Sequence, residues 1–409
     1  MTTPNRGSGE LDALLDQLRE YVTPQPPWIS LPPRAFTSPE LYELELDRIF
    51  RRSWIMVARA DQLAGPGDYL ALTIAGEPLL LTRDRTGALN AMSPICRHRM
   101  MPVVAAGAGR AEHFTCPYHL WRYGLDGQLI AATHMRGNPA FDPGTCRLPG
   151  FAVEQWQGFV FVNLDSGAPP LRTHLSRIGE DLGNYELGAM TQVGSFVEDW
   201  HCNWKVAVEN VHENYHVMGF HPETIQPSTP GGSDTDVRDD SPLVLRFTVP
   251  FKEPQEVEFL RLTEQERRQV YNVSVFPCTS FAAAGETVIW LSFIPTAIDR
   301  TEVRGGILAP SQTVEGTDAE QLQQIREGNE AYAAVINGED QRGLEEVQRA
   351  VGSRFAGRGH LSPKEPAVPV FYRKLAAALL AEEYREPAEA GPLQILNGQV
   401  VSGSRVSPV

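Results

Sequence analysis

Ser93–Pro94–Ile95–Cys96–Arg97–His98, followed after seventeen further residues by Cys116–Pro117–Tyr118–His119–Leu120–Trp121, is the stretch that decides the fold of the first half of this 409-residue chain. It delivers two Cys and two His as pairs, Cys-x-His and Cys-x-x-His, from two loops. Two thiolates can hold one iron of a [2Fe–2S] cluster while two neutral imidazoles hold the other, and the exchange of thiolate for imidazole raises the reduction potential. The same four side chains would also satisfy a tetrahedral structural zinc. Spacing alone leaves both readings open.

The sequence around these loops has the texture of a small all-β domain. Short apolar runs at 54–58, 69–74, 78–82 and 158–163 alternate with turn signals such as Gly65–Pro66–Gly67 and Asp126–Gly127. Before them, apolar spacing at Leu11, Leu14, Leu15 and Leu18 predicts one helix, and Ser38 as N-cap predicts another over 38–51. After Gly167–Pro170 the pattern is mixed. Helices are predicted over 175–185, 204–217, 318–336 and 344–355, the third opened by a Thr317-x-x-Glu320 capping box. Strands are predicted over 243–249, 273–276, 287–293 and 302–308.

A second metal-binding pattern occupies 202–222, Cys-Asn-Trp-Lys-Val-Ala-Val-Glu-Asn-Val-His-Glu-Asn-Tyr-His-Val-Met-Gly-Phe-His-Pro. Read as H-E-x-x-H, His212 and His216 share one helical face and Glu213 is a general base, the arrangement of a zinc metallopeptidase. The extended form of that pattern requires a third histidine at position 222, which is Pro222. Read the other way, His216 and His221 are the ligands. An i, i+5 pair does not share a face of a regular helix, so Gly219 and Pro222 must break it. A facial triad also needs a carboxylate and open positions. Glu339, Asp340, Glu345 and Glu346 are the candidates in a suitable helical context.

Both segments resemble the α (terminal oxygenase) subunits of Rieske non-haem iron ring-hydroxylating oxygenases. The likeness runs from about Arg48 to Arg354 and is specific in the motifs: the two ligand loops with Trp121 and Leu125–Asp126–Gly127, then Asn203–Trp204–Lys205 and Glu209–Asn210 through His216 to His221. The resemblance implies a Rieske [2Fe–2S] cluster on Cys96, His98, Cys116 and His119, and a mononuclear Fe(II) on His216 and His221. The family's Glu-Asp pattern, with Gln eight residues after the Asp, selects Asp340 as the third ligand. Glu213 takes the place of the acid that links one subunit's cluster to its neighbour's iron. The family more often has Asp there. His212 is left without a metal role.

The resemblance implies an α+β fold: an N-terminal helical segment (1–50) packed on the catalytic domain, an all-β Rieske domain (51–165), and a catalytic domain (166–409) with an antiparallel sheet covered by helices. It implies O₂-dependent hydroxylation, as monohydroxylation, oxidative demethylation or cis-dihydroxylation, of a small organic substrate, aromatic or quaternary-amine. Electrons would come from a flavin-dependent NAD(P)H reductase, directly or through a ferredoxin, and the subunits would form a homotrimer. A Rieske electron carrier lacking oxygenase activity is the other alternative.

Bulk properties narrow the classes further. A formal charge of −15 argues against nucleic-acid binding, which needs clustered Lys and Arg. No apolar run is long enough for a membrane span, and the N-terminus lacks the basic-then-apolar layout of a signal peptide, so a cytoplasmic location is expected. Cys146, Cys202 and Cys278 read as small apolar residues. Arg97, Arg99 and Arg122 flank the cluster ligands, either as solvated surface charges or as a basic rim for an acidic ferredoxin.

Overall fold

The computed structural model describes residues 6–23, 25–175, 177–239, 241–381, 393–396 and 399–402. The chain divides into two compact units, Phe50–Thr173 and a second built from Met1–Ile49 with His174–Val409. The first unit is all β. Its main sheet has seven antiparallel strands in the order Ile55–Arg59, Phe159–Asn163, Gly150–Trp156, Leu89–Met92, Glu77–Arg83, Asp68–Ile74 and Gly107–Arg110. A three-stranded sheet of Phe114–Thr115, Arg122–Tyr123 and Leu129–Ala131 lies beside it. Cys96 and Cys116 belong to the core between them, packed with Leu80, Met92, Phe114, Trp121 and Tyr123.

The second unit is built on a nine-stranded antiparallel sheet. Its order is Met190–Trp200, Arg300–Pro310, Thr287–Ala297, Thr279–Ala284, Gln269–Val275, Val244–Pro250, Asp236–Asp239, Leu393–Leu396 and Gln399–Ser402. Six helices matter for the site: α1 (Arg6–Leu18), α2 (Pro39–Glu45), α3 (Trp204–Asn210), α4 (Val217–Phe220), α5 (Ala319–Val351) and α6 (Ala367–Leu379). Ser38 caps α2 as predicted, its Oγ accepting from the Leu41 N–H at 3.2 Å.

The N-terminal segment is tied into the second unit by a buried charge pair. Lys205 Nζ lies 2.7 and 2.9 Å from the two Glu45 oxygens, and Trp204 Nε1 donates to the same carboxylate at 2.8 Å. Both charged side chains are fully buried. In such a place neither charge is tolerable without the other.

Four helix predictions are corrected. The helix expected over 204–217 stops at Asn210 and restarts as α4, because the backbone of residues 211–216 turns away and the Glu213 carboxylate takes the His216 N–H at 2.9 Å. The two helices expected over 318–336 and 344–355 are the single helix α5, uninterrupted through Gly338 and Gly343. Its capping box is Asp318 with Gln321, one residue after the predicted Thr317 and Glu320. The 175–185 segment forms short turns at Arg172–Leu175, Ile178–Leu182 and Gly183–Tyr185 rather than one helix.

Candidate metal centres

The two cluster loops repeat one backbone design. In the first, the Cys96 N–H donates to the Met101 carbonyl at 3.0 Å and the Met100 N–H returns to the Cys96 carbonyl at 3.1 Å. In the second, the Cys116 N–H donates to the Trp121 carbonyl at 2.8 Å and the Leu120 N–H to the Cys116 carbonyl at 3.0 Å. Met100 and Leu120 both adopt left-handed backbone, at φ 57° and 60°, which is uncommon for such residues. Each loop therefore turns on itself at the same point and brings its histidine back beside its cysteine.

The four side chains converge. The Cys96 and Cys116 thiols are buried and within hydrogen-bonding reach of each other. The His98 and His119 rings sit 4.4 Å apart, centroid to centroid, and His98 stacks on Trp121 at 5.0 Å. Both Nδ1 atoms are buried with no hydrogen-bond partner among the described residues. Two neighbouring orphaned imidazole nitrogens and two neighbouring thiols, delivered by the same two loops, are what a metal cluster would satisfy. Tyr123 supports this set. Its hydroxyl accepts from the Arg97 N–H at 3.0 Å, which leaves its own hydrogen for the Cys96 sulfur 3.3 Å away.

In the second unit, His216, His221 and Asp340 bring one ligand atom each to within 4.8 Å of one another. His221 Nε2 is 2.9 Å from Asp340 Oδ1, and His216 Nε2 is 3.7 Å from the same oxygen. Each histidine is held from behind by a glutamate. Glu213 Oε1 is 2.5 Å from His216 Nδ1, and Glu339 Oε2 is 2.7 Å from His221 Nδ1. Thr224 holds Glu339 in turn at 2.7 Å. Burial lowers the His221 pKa, but the bonds to Asp340 and Glu339 outweigh it and hold the ring above the ordinary histidine value. Three ligands on one side, two of them oriented by carboxylates, fit a divalent iron with open positions for other molecules.

Two features of α5 place the carboxylate. Gly343 lies against the Phe220 ring, which would overlap a methyl group at that position. The absence of a side chain lets α5 approach the turn that carries His221. Gln348 then accepts from the Asn203 N–H at 2.8 Å, fixing α5 to the start of α3. Of the four acidic candidates, Asp340 faces the histidines and Glu339 orients His221. Glu345 accepts from the His201 N–H at 3.2 Å, and Glu346 pairs with Arg349 on the surface.

His212 is not part of the triad. Its Nδ1 is bonded to the Val208 carbonyl at 2.6 Å, and its ring is buried against Phe371. The H-E-x-x-H reading fails because the helix that would have put His212 and His216 on one face does not exist. Sequence reasoning weighed Glu339 only as a ligand and missed its place behind His221. It also missed Glu365, which packs near Glu213 and whose carboxyl burial pushes up. Cys202 and Cys278 are buried thiols pushed up to about 12, consistent with inert packing.

Comparison with known proteins agrees with this geometry. Residues 53–149 match the Rieske [2Fe-2S] domain, and residues 187–381 match the ring hydroxylating alpha subunit (catalytic domain). The chain belongs to the Rieske ring-hydroxylating oxygenases. Neither alternative is supported, zinc peptidase or simple electron carrier, since cluster domain and catalytic domain are both present. Among its relatives is the carnitine monooxygenase oxygenase subunit of Escherichia coli K12, 29% identical over 348 residues, 83% of this chain and 89% of that protein. The glycine betaine monooxygenase oxygenase subunit of Chromohalobacter salexigens is 32% identical over 52% of this chain and 47% of that protein. A crystal structure of a quaternary ammonium Rieske monooxygenase in complex with its substrate γ-butyrobetaine superposes with TM-score 0.72 at 25% identity, covering 89% of this chain and 98% of that one. As an oxygenase subunit this Rieske protein is an oxidoreductase that depends on separate electron-transfer components. No helix among its described residues is long and apolar enough to cross a membrane.

Proposed function

We propose that this chain oxygenates a small quaternary amine, by monohydroxylation or oxidative demethylation in preference to cis-dihydroxylation. The observation that carries the reading is the joint presence of two orphaned cluster histidines and a triad of His216, His221 and Asp340 whose rings are aligned by Glu213 and Glu339. The substrate class rests on the likeness to carnitine and glycine betaine oxygenases. When bound, the cluster supplies electrons one at a time and the mononuclear iron activates O₂.

The chain's own residues define the rest. Cys96, His98, Cys116 and His119 hold the cluster, with Tyr123 donating to a ligating sulfur. His216, His221 and Asp340 hold the iron. Glu213, bonded to a ligand ring, is the bridging acid through which electrons arrive from a neighbouring copy in a homotrimer. A flavin-dependent NAD(P)H reductase, with or without a ferredoxin, is the electron source, and the system works in the cytoplasm where that reductant resides.

Purified protein tests the reading directly. A brown preparation with a reduced-cluster EPR signal, which consumes O₂ with carnitine or glycine betaine and a surrogate reductase, is the expected result. A colourless protein whose only metal is stoichiometric zinc would overturn the reading.

A further inference from the structure

Thr224 stands three residues after His221 and ends a chain of contacts that begins at the iron ligands. Asp340 Oδ1 lies 2.9 Å from His221 Nε2, and Glu339 Oε2 lies 2.7 Å from His221 Nδ1. The Thr224 hydroxyl donates to that same Glu339 oxygen at 2.7 Å. All four side chains belong to the second unit. The turn that carries Thr224 folds back over its own histidine, with the Gln226 N–H donating to the His221 carbonyl at 3.0 Å. Fixed backbone therefore delivers the hydroxyl.

Glu339 has a choice of partner. It lies on α5, and Arg342, three residues on, shares its helical face. The Arg342 side chain is exposed and folds back along the helix, where its Nη1 would lie 3.6 Å from a methyl group at Gly338. Of the influences that hold the Glu339 carboxyl below the ordinary glutamate range, the His221 bond is the largest and the Arg342 charge is another. The carboxylate is partly exposed and turns on three rotatable bonds, so ring and guanidinium are both within its range. An exposed ion pair at this helical spacing is weak. A neutral hydrogen bond is worth about as much, so one well-aimed hydroxyl is enough to decide the choice. His221 is wholly buried, and the aim of its Nε2 depends on what Nδ1 holds.

We propose that Thr224 is a positioning residue of the iron site, whose hydroxyl holds Glu339 on His221 and off Arg342. The proposal rests on the oxygenase reading, in which His216, His221 and Asp340 hold ferrous iron. Thr224 acts on that iron through Glu339.

The test is anaerobic competition for ferrous iron between the chelator ferrozine and the full-length protein, with cluster absorbance recorded in the same sample. Thr224→Val keeps the shape and deletes the donor. It should weaken iron retention roughly three- to tenfold with the cluster spectrum unchanged. Thr224→Ser keeps the donor and should stay within about twofold of the unaltered protein. Arg342→Ala should strengthen retention more in the valine background than in the unaltered protein, because only there does the guanidinium compete for Glu339. Three results would each overturn the assignment while leaving the iron site intact: unchanged retention in Thr224→Val, an equal loss in Thr224→Ser, or the same Arg342→Ala effect in both backgrounds. An unaltered protein that carries the cluster but holds no ferrous iron would overturn the iron-site reading and the assignment with it. Should the valine variant not fold, Thr224→Ala takes its place in the same comparison.

Discussion

The four histidines proposed for the two metal centres present opposite nitrogens. In the β unit, His98 and His119 leave Nδ1 buried and unpartnered, so that atom is the one available to a cluster. In the catalytic unit, His216 and His221 have Nδ1 engaged by Glu213 and Glu339, and Nε2 turns toward Asp340. The difference follows from the supports. The cluster rings hang on two short self-bonded loops and are steadied by stacking, whereas the iron rings are aimed by carboxylates that also raise ligand basicity. An electron store needs a tunable potential, and a reactive iron needs fixed ligands with room left over.

The sharpest way to break this contrast is to remove a ligand from one side only. His221→Ala should strip the mononuclear iron and turnover while leaving the cluster's visible spectrum and EPR signal intact. Loss of both signals together would show that the two centres are not independent. Gly343→Ala should act nearly as strongly from outside the triad, because a methyl there displaces Phe220 and the turn bearing His221. Iron content measured against cluster absorbance reports it, and unchanged iron would refute the close-approach argument.

Weakening the supports should give graded effects. Glu339→Gln is expected to lower iron affinity about 10- to 100-fold, measured by chelator competition. Because ligation requires unprotonated rings, iron retention should also fall as acid protonates His221, at a higher pH than for an ordinary histidine. On the cluster side, Tyr123→Phe removes the donor to Cys96 and should shift the reduction potential downward without loss of iron. Redox titration checks the direction.

Away from both metal centres, a separate effect is expected at Glu209, whose carboxyl burial pushes up to about 8. The unfolded chain ionises this group in the ordinary glutamate range, so the folded state holds the extra proton between there and about pH 8. Stability should therefore fall across that window, by up to about 1.4 kcal/mol per pH unit, and level off above it. Glu209→Gln should flatten that slope, as followed by denaturant melts at several pH values.

The cluster loops were legible because their ligands are close in sequence and their chemistry is rare. The iron histidines were read from an i, i+5 spacing with a break expected at Gly219 and Pro222; the structure instead breaks the helix before His216, at 211–216, and stays helical through Gly219 to Phe220. Asp340 lies on a helix with acidic neighbours, and nothing local separates it from Glu339. What separates them is the packing of α5 through Gly343 and Gln348, a contact between segments more than a hundred residues apart. Helix ends were misplaced for a similar reason. Gly338 and Gly343 look like breaks, yet α5 runs through both because its packing against the sheet outweighs their weak propensity. The basic residues Arg97, Arg99 and Arg122 are exposed in the structure.

The buried pairing of Glu45 with Lys205 has a practical consequence for anyone trimming this protein. Expression of the catalytic unit alone, begun after the first fifty residues, would strand an ammonium group in the apolar interior at the very start of the segment that carries the iron ligands. Shortened versions should therefore be cut ahead of residue 39 at the earliest helix worth sparing, or carry Lys205→Met to make the deletion survivable.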